Sequence, residues 1–455
     1  MILGGVVVPH PPLIIPDVGL GKEKEIQDTI DSYEEIAKRI GELEPDTIIL
    51  ISPHGIGYSD YIKIYDGTGS IGNFSNFGAK DISIKVEYDK EFIDGLCDYL
   101  KEINFFAGKT KVDNELDHGC LVPLYFINKY FKNYKVIRIS IGGLLNEDYY
   151  ELGTLIRKYS EQLNRKIFVV ASGDLSHTLL EEGPYGFNEN GVKYEERIVN
   201  DLKNSNFINL LDYSEDFLYS AGICGHKGFC ILGGILDGLD YDTNFYSHEG
   251  PFGVGYMVCS YIVNSSNGKK YLDEWLDNKK EIVNKIKLQE DGYIQLARKS
   301  IEEFVINNKI IDVAEVIHKK SGCFVSIHKF GELRGCIGTT FACYNNLSLE
   351  IINNAISACS KDPRFRPIKK EELPYLVIDV DELSPSVLIE SRDELDPKKY
   401  GVIVEEGLKR GVLLPDLDGV DTVEEQLSIA CRKANITSNN YEIYKFEVIR
   451  HRVSL

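Results

Sequence analysis

The stretch KIFVVASGDLSH, residues 166–177, decides the fold class. Its first seven residues are mostly apolar at both alternating positions, which is typical of a strand buried on both faces of a sheet. Three other stretches have the same character: MILGGVVV (residues 1–8), DTIILIS (46–52) and KVIRISI (135–141). Between the first two of these, apolar residues at helical spacing predict a crossover helix; they are Ile26, Ile30, Tyr33, Ile36, Ala37 and Ile40. The sequence therefore predicts an α/β N-terminal domain with a mostly parallel, helix-covered sheet.

Length and composition limit the classes of function. A chain of 455 residues is too long for one ordinary core, so we expect two domains. The formal charge of -20 argues against nucleic acid as a partner, because phosphates require a basic surface. The apolar N-terminal stretch lacks a basic segment and is too short to cross a membrane. The ten scattered cysteines are typical of reduced thiols, and together these features predict a cytoplasmic protein.

The composition changes after about residue 264, where a polar and then charged stretch begins. We therefore place the first domain at residues 1–265, a linker with some helix at 266–289, and a second domain at 290–455. The second domain has helix patterns near 293–307 and 348–360 and a hairpin pattern in GCFVSIHKFGELRGCIG, which predicts an α+β fold.

Three histidines follow predicted strands directly or within a few residues. His10 follows GGVVVP, His54 follows IILISP, and His177 follows IFVVAS. In an open α/β sheet, ligands bind at the carboxyl ends of the strands, so these three imidazoles are expected to converge. Converging imidazoles indicate a metal site, whereas the alternative is three separate loop histidines. His118, which opens a helix-like segment, is a fourth candidate.

A metal held by imidazoles usually has an anionic ligand as well. The candidates are Asp174, Cys224 in AGICGHKGF and Glu249 in YSHEGPFGVGY. A carboxylate would complete a facial triad suited to oxygen-activating iron, and a thiolate would make a softer site. The chemistry of these residues alone does not decide between them.

The motifs VVVPHPP, ISPHG, LDHGCLVPL and ASGDLSH resemble, in this order, the LigB family of class III extradiol dioxygenases and the related Memo family. The resemblance implies that His10 and His54 bind non-haem Fe(II), that His177 is the catalytic acid/base and that His118 lines the substrate pocket. It also favours Cys224 over Glu249 as third ligand, because Asp174 and the ICG cysteine match the Memo pattern. At both of these positions the chain departs from ordinary LigB dioxygenases.

Asp174 and His177 are three residues apart at the end of one strand. We predict that the Asp174 carboxylate fixes the tautomer of His177, whose other nitrogen then faces the metal and moves a proton. The alternative role for Asp174 is to cap a following helix.

Residues 290–455 resemble the AMMECR family through GCFVSIHKFGELRGCIGT, NNAISACSKDPRFRPI and GVIVEEGLKRGVLLPD. If Phe330 and Gly331 form a two-residue turn, Cys336 lies opposite Val325 on the buried face. A three-residue loop would place Cys336 on the other face, which leaves a role as nucleophile open. A fusion of the two domain types resembles the AmmeMemoRadiSam system, whose name implies a radical SAM protein as partner.

We therefore predict a metal-dependent oxidoreductase that uses Fe(II) and acts on a small molecule, with aromatic compounds as the candidate class. A homo-oligomer is the candidate state of the chain. One alternative is a zinc-dependent hydrolase or isomerase on the same scaffold. Another is a metal-binding partner module without catalysis of its own.

Overall fold

The chain divides between Trp275 and Leu276, inside the stretch predicted to be a linker. The computed structural model describes residues 1–110, 115–312, 317–417, 419–438 and 440–453. Its first unit is Met1–Trp275 and its second is Leu276–Leu455. A helix at Leu272–Lys287 occupies most of the predicted linker.

Ten strands belong to the described residues of the first unit. They are β1 (Ile2–Val8), β2 (Thr47–Ser52), β3 (Ile62–Ile64), β4 (Gly69–Phe74), β5 (Ala79–Glu87), β6 (Ala107–Lys109), β7 (Lys135–Ser140), β8 (Ile167–Ser172), β9 (Asp240–Glu249) and β10 (Tyr256–Ser265). Eight of them form one sheet in the order β6-β3-β7-β2-β8-β1-β10-β9, and β4 pairs with β5 separately.

The four predicted strands form the centre of this sheet. β1 and β2 both pair in parallel with β8, and β2 pairs in parallel with β7. The strands β10 and β9 extend the sheet in antiparallel fashion on the β1 side. All residues of β2 and β8 are buried, as expected of strands that are apolar at both alternating positions. The prediction of a mostly parallel sheet is confirmed.

Helices cover the sheet of the first unit. They are α1 (Pro16–Gly19), α2 (Gln27–Leu43), α3 (Lys90–Glu102), α4 (His118–Tyr130), α5 (Asn146–Ser160), α6 (Glu189–Lys203), α7 (Glu215–Ala221) and α8 (His226–Leu236); α9 (Leu272–Lys287) extends into the second unit. The predicted crossover helix is α2, which buries Tyr33, Ile36, Ala37 and Ile40. α2 packs against α4, and α5 packs against α8, which contacts β8. No helix among the described residues is both long and apolar enough to span a bilayer.

The second unit contains two four-stranded antiparallel sheets. Its strands are β11 (Cys323–Lys329), β12 (Glu332–Gly338), β13 (Leu376–Leu383), β14 (Val387–Leu388), β15 (Gly401–Glu406), β16 (Lys409–Leu413), β17 (Glu442–Phe446) and β18 (Val448–His451). Its further helices are α10 (Gly292–Asn307), α11 (Leu347–Ser360) and α12 (Val423–Lys433). The sheet orders are β12-β11-β13-β18 and β14-β17-β15-β16, so the predicted α+β fold is confirmed.

The prediction for Cys336 is wrong because the hairpin contains a bulge. The turn is as predicted, with Lys329 opposite Glu332, but the register shifts between Ile327 and His328. The extra residue places Cys336 opposite Ser326, and its Sγ lies 3.3 Å from the Ser326 Oγ. A one-residue shift moves a side chain to the other face, so Cys336 lies on the face opposite the buried Val325.

Candidate metal centre

His10 lies two residues after the end of β1 and is buried. Its backbone N–H donates to Asp174 Oδ1 at 2.7 Å, and its Nδ1 lies 2.9 Å from Ser172 Oγ at the end of β8. With Nδ1–H donating to the serine, the lone pair of Nε2 is free for a metal ion. The pairing of β1 with β8 therefore fixes both the position and the orientation of this ring.

His54 follows β2 and reaches the same point. Its backbone N–H donates to Ser52 Oγ at 3.3 Å, and its Nε2 lies 2.8 Å from His10 Nε2. The ring centroids are 4.6 Å apart and the rings are nearly perpendicular. Two neutral imidazole nitrogens that face each other at this distance suit adjacent positions around one ion.

Cys224 comes from the short loop between α7 and α8. A Cβ on Gly173 would lie 2.1 Å from the Cα of Gly225, so only glycine lets this loop approach the end of β8 so closely. The Cys224 Sγ lies 3.5 Å from His10 Nε2 and accepts the Asp174 backbone N–H at 3.2 Å. The ligand atoms of His10, His54 and Cys224 all lie within 4.8 Å of one another.

Burial sets the protonation of these three groups. It lowers the pKa of His10 well below its usual value, and His54 lowers it further. Burial also lowers the pKa of His54, so both imidazoles are neutral near pH 7. Burial, together with the nearby Asp174 carboxylate, raises the pKa of the Cys224 thiol. Two imidazoles and a thiol are a fitting ligand set for a divalent metal ion, provided that the thiol loses its proton.

Asp174 and His177 adjoin this group, but the hydrogen bond predicted between them does not form. Asp174 Oδ2 and His177 Nε2 are 3.9 Å apart, which is too long, because Asp174 directs Oδ1 to the His10 backbone. Burial raises the pKa of Asp174 to about 6 and lowers the pKa of His177. No helix starts directly after Asp174 in the described chain, which excludes the alternative role as a helix cap.

His118 is the first residue of α4 and lies beside the other imidazoles. Its ring centroid is 4.0 Å from that of His54 and 5.3 Å from that of His10. Burial and these two neighbours lower its pKa to about 3, so it is neutral. The exposed Phe77 contacts it edge to face. On the other flank, Tyr185, which is 68% exposed, stacks on His177.

A buried ion pair supports the strand ends, and the sequence analysis missed it. Arg138 on β7, only 1% exposed, donates to Asp117 Oδ2 at 2.6 Å and to the Glu115 carbonyl at 2.7 Å. Asp117 Oδ1 caps α4 and accepts a hydrogen bond from Ser52, whose oxygen also accepts the His54 N–H. An arginine inside the otherwise apolar KVIRIS is the one signal that could have revealed it.

Glu249, the alternative third ligand, is not brought to this group. Its Oε2 accepts hydrogen bonds from the backbone N–H and hydroxyl of Thr29, in the first turn of α2. His226 is bound to the Leu210 carbonyl, and His248 lies 2.5 Å from Glu195. These last two histidines are outside the candidate ligand groups of the described residues.

Two family models match the chain. Residues 4–259 match the catalytic LigB subunit of aromatic ring-opening dioxygenase, and residues 294–454 match AMMECR1. The resemblance stated from the sequence motifs is therefore confirmed for both parts of the chain.

Relatives and solved structures resemble the whole chain or parts of it. Protein CA_C1420 of Clostridium acetobutylicum is 42% identical over an alignment of 466 positions, which covers 99% of both chains. A Thermotoga maritima protein is 48% identical over 171 aligned residues, covering 36% of this chain and 98% of its own. The crystal structure of PH0010 from Pyrococcus horikoshii is 33% identical and covers 35% of this chain and 88% of its own, with a TM-score of 0.33. The crystal structure of JW3007 from Escherichia coli K12 is 15% identical in sequence. The match covers 57% of this chain and 99% of JW3007, with a TM-score of 0.39. The chain therefore belongs to the LigB family, and it joins a LigB domain at residues 4–259 to an AMMECR1 domain at residues 294–454.

Proposed function

We propose that the N-terminal unit is a non-haem Fe²⁺-dependent oxidoreductase that acts on a small aromatic substrate. The observation that carries this proposal is the convergence of His10, His54 and Cys224, whose ligand atoms lie within 4.8 Å of one another at the strand ends. Bound there, Fe²⁺ supplies a redox-active Lewis acid with positions left for substrate. The family match supports the aromatic substrate.

His177 is suited to be the base. Its Nε2 is buried and makes no hydrogen bond to a described residue, and burial lowers its pKa, so it is neutral and able to accept a proton. Its ring stacks on Tyr185, which leaves Nε2 at the edge of the ligand group. We assign it the removal of a hydroxyl proton from the substrate. We assign His118, whose ring contacts Phe77, to substrate binding, as the family resemblance implies.

The test is oxygen consumption by the full chain. Protein purified without oxygen and loaded with Fe²⁺ is mixed with a panel of catechols, and oxygen uptake is followed together with the ring-opened product. We expect uptake that the His177→Ala variant loses while it retains Fe²⁺. Bound catechol with no oxygen uptake in the wild type would contradict the proposal.

The thiolate supports one alternative. Cys224 with two histidines is also a good ligand set for Zn²⁺, which would activate a water molecule for hydrolysis or isomerisation. Metal analysis of protein purified without oxygen distinguishes the two ions. The radical SAM partner expected from the domain fusion remains a prediction, and co-purification of the two proteins would test it.

Binding of the first metal ion is expected to release about one proton at pH 7 to 8. His10 and His54 are already neutral there, whereas the Cys224 thiol, with its raised pKa, is protonated and must ionise. Affinity should therefore rise about tenfold per pH unit. Calorimetry of Zn²⁺ binding in buffers of different ionisation enthalpy measures this proton count.

A Cys224→Asp variant is the matched control for proton release. An aspartate ionises at a much lower pH than a thiol, so it should release less than one proton. Release of no proton by the wild type would mean that the thiol is not a ligand.

Glu249→Gln should leave metal affinity unchanged, because its carboxylate is bound to Thr29. The change removes a negative charge from the first turn of α2, which should lower the free energy of unfolding by about 0.3–1 kcal/mol. Zn²⁺ calorimetry and urea denaturation measure the two effects. A steep loss of affinity would show that Glu249, and not Cys224, completes the ligand set.

A further inference from the structure

A second group of three potential ligands adjoins the first and shares one atom with it. The ligand atoms of Asp174, His177 and Cys224 also lie within 4.8 Å of one another. None of the roles assigned so far uses the Asp174 side chain as a ligand. The Cys224 sulfur is the member common to both groups.

Two polar atoms of this second group face each other without a hydrogen bond. His177 Nε2 is buried and has no partner among the described residues. Asp174 uses Oδ1 for the His10 backbone, and Oδ2 lies 3.9 Å from His177 Nε2 and 4.0 Å from His10 Nε2. A buried polar atom without a partner is destabilising, and such atoms call for an explanation.

A divalent cation would give His177 Nε2 a partner and would also bind Asp174 Oδ2. Metal–ligand bonds to imidazole nitrogen and carboxylate oxygen are about 2.0–2.2 Å long, so one ion can span a gap that is too wide for a hydrogen bond. A carboxylate, an imidazole and a thiolate form a ligand set of the zinc type. The side chains of Asp174 and His177 are 11% and 15% exposed, so the position is open to ions and to water from one side.

We propose that Asp174 Oδ2, His177 Nε2 and Cys224 Sγ bind a second divalent cation of the zinc class, so that the thiolate bridges two ions. Sites with two ions typically hold them about 3.5–4 Å apart, a spacing that one bridging sulfur allows. This inference rests on the proposed function, because the first ion is held by His10, His54 and the same Cys224. The second site has weaker affinity, since its thiolate is already shared.

The second ion would act as an inhibitor. It takes the lone pair of His177 Nε2, which is the base assigned above, so the imidazole can no longer accept a proton from a substrate. The chain would be active with one ion and inactive with two. Activity should therefore rise up to one equivalent of metal and fall beyond it.

The experiment is a titration of the metal-free full chain with Zn²⁺. Calorimetry measures the binding, and metal analysis after gel filtration counts the bound ions. We expect the wild type to bind one equivalent of Zn²⁺ tightly and a second equivalent more weakly. Asp174→Asn and His177→Ala should each lose the weaker equivalent and keep the tight one. Asp174→Asn is nearly isosteric, and circular dichroism of each variant checks that it is folded.

His248→Gln is the matched control, because His248 pairs with Glu195 outside both ligand groups. It should retain both equivalents. A single tight equivalent in the wild type would overturn the second site and leave the proposed function intact. No bound Zn²⁺ at all would overturn both. A weaker equivalent that persists in Asp174→Asn and His177→Ala would also overturn the second site.

Discussion

His54→Ala is expected to eliminate the tight class of Zn²⁺ or Fe²⁺ binding. The imidazole at position 54 faces His10 Nε2 at 2.8 Å, and without it only His10 and Cys224 remain of the first ligand group. Replacing a residue that only hydrogen-bonds to a metal ligand typically lowers metal affinity by roughly 10–100-fold, and the loss in His54→Ala should be larger. Competition with a chelator of known affinity measures it.

His177→Ala is the counterpart of this variant. The His177 imidazole belongs only to the second ligand group, so the His177→Ala variant should bind the first ion as tightly as the wild type does. The double variant His54→Ala/His177→Ala should bind neither ion. Tight binding retained in His54→Ala would refute the assignment of the first ligand group.

Asp117→Ala should lower the free energy of unfolding by about 3–5 kcal/mol, because it leaves the buried Arg138 charge without its partner. It also removes the cap of α4 and the acceptor for Ser52, which positions the His54 backbone. Metal affinity should therefore fall by about 10–100-fold as well. Urea denaturation of the metal-free protein and Zn²⁺ calorimetry measure the two effects separately.

The double variant Asp117→Asn/Arg138→Met is the control for this prediction. Asparagine retains the cap and an acceptor for Ser52, and methionine removes the buried charge. The free energy of unfolding and the metal affinity should therefore both return most of the way to their wild-type values. An Asp117→Ala variant as stable as the wild type would show that the ion pair contributes nothing.

The fold could be predicted because its central strands are apolar at most positions on both faces. A strand such as Ile167–Ser172 has no polar face, so it is stable only between two layers of helices. The parallel direction of the strands follows from the helices between them. A helix such as α2 carries the chain back to the edge of the sheet where β1 began, so that β2 runs in the same direction as β1. The bulge that moves Cys336 to the other face has no signature of comparable strength, since it depends on how two strands fit together.

The convergence of the histidines followed from the same pattern. His10 and His54 follow β1 and β2, which both pair in parallel with β8, so the sheet itself brings them together. Cys224 lies on a helix-to-helix loop, and only the family resemblance pointed to it. The predicted contact between Asp174 and His177 is wrong because the backbone of a distant residue, His10, competes for the carboxylate. Such competition between groups 164 positions apart has no local signal.

The position of β1 in the sheet has a consequence for synthesis on the ribosome. β1 pairs with β8 and β10, which are translated some 160 and 250 positions after it. At about 5–20 residues per second, β1 waits on the order of 10–50 s for its second partner. Until then at least one edge of the apolar strand Ile2–Val8 lacks its sheet neighbour, so this segment is exposed to aggregation during synthesis.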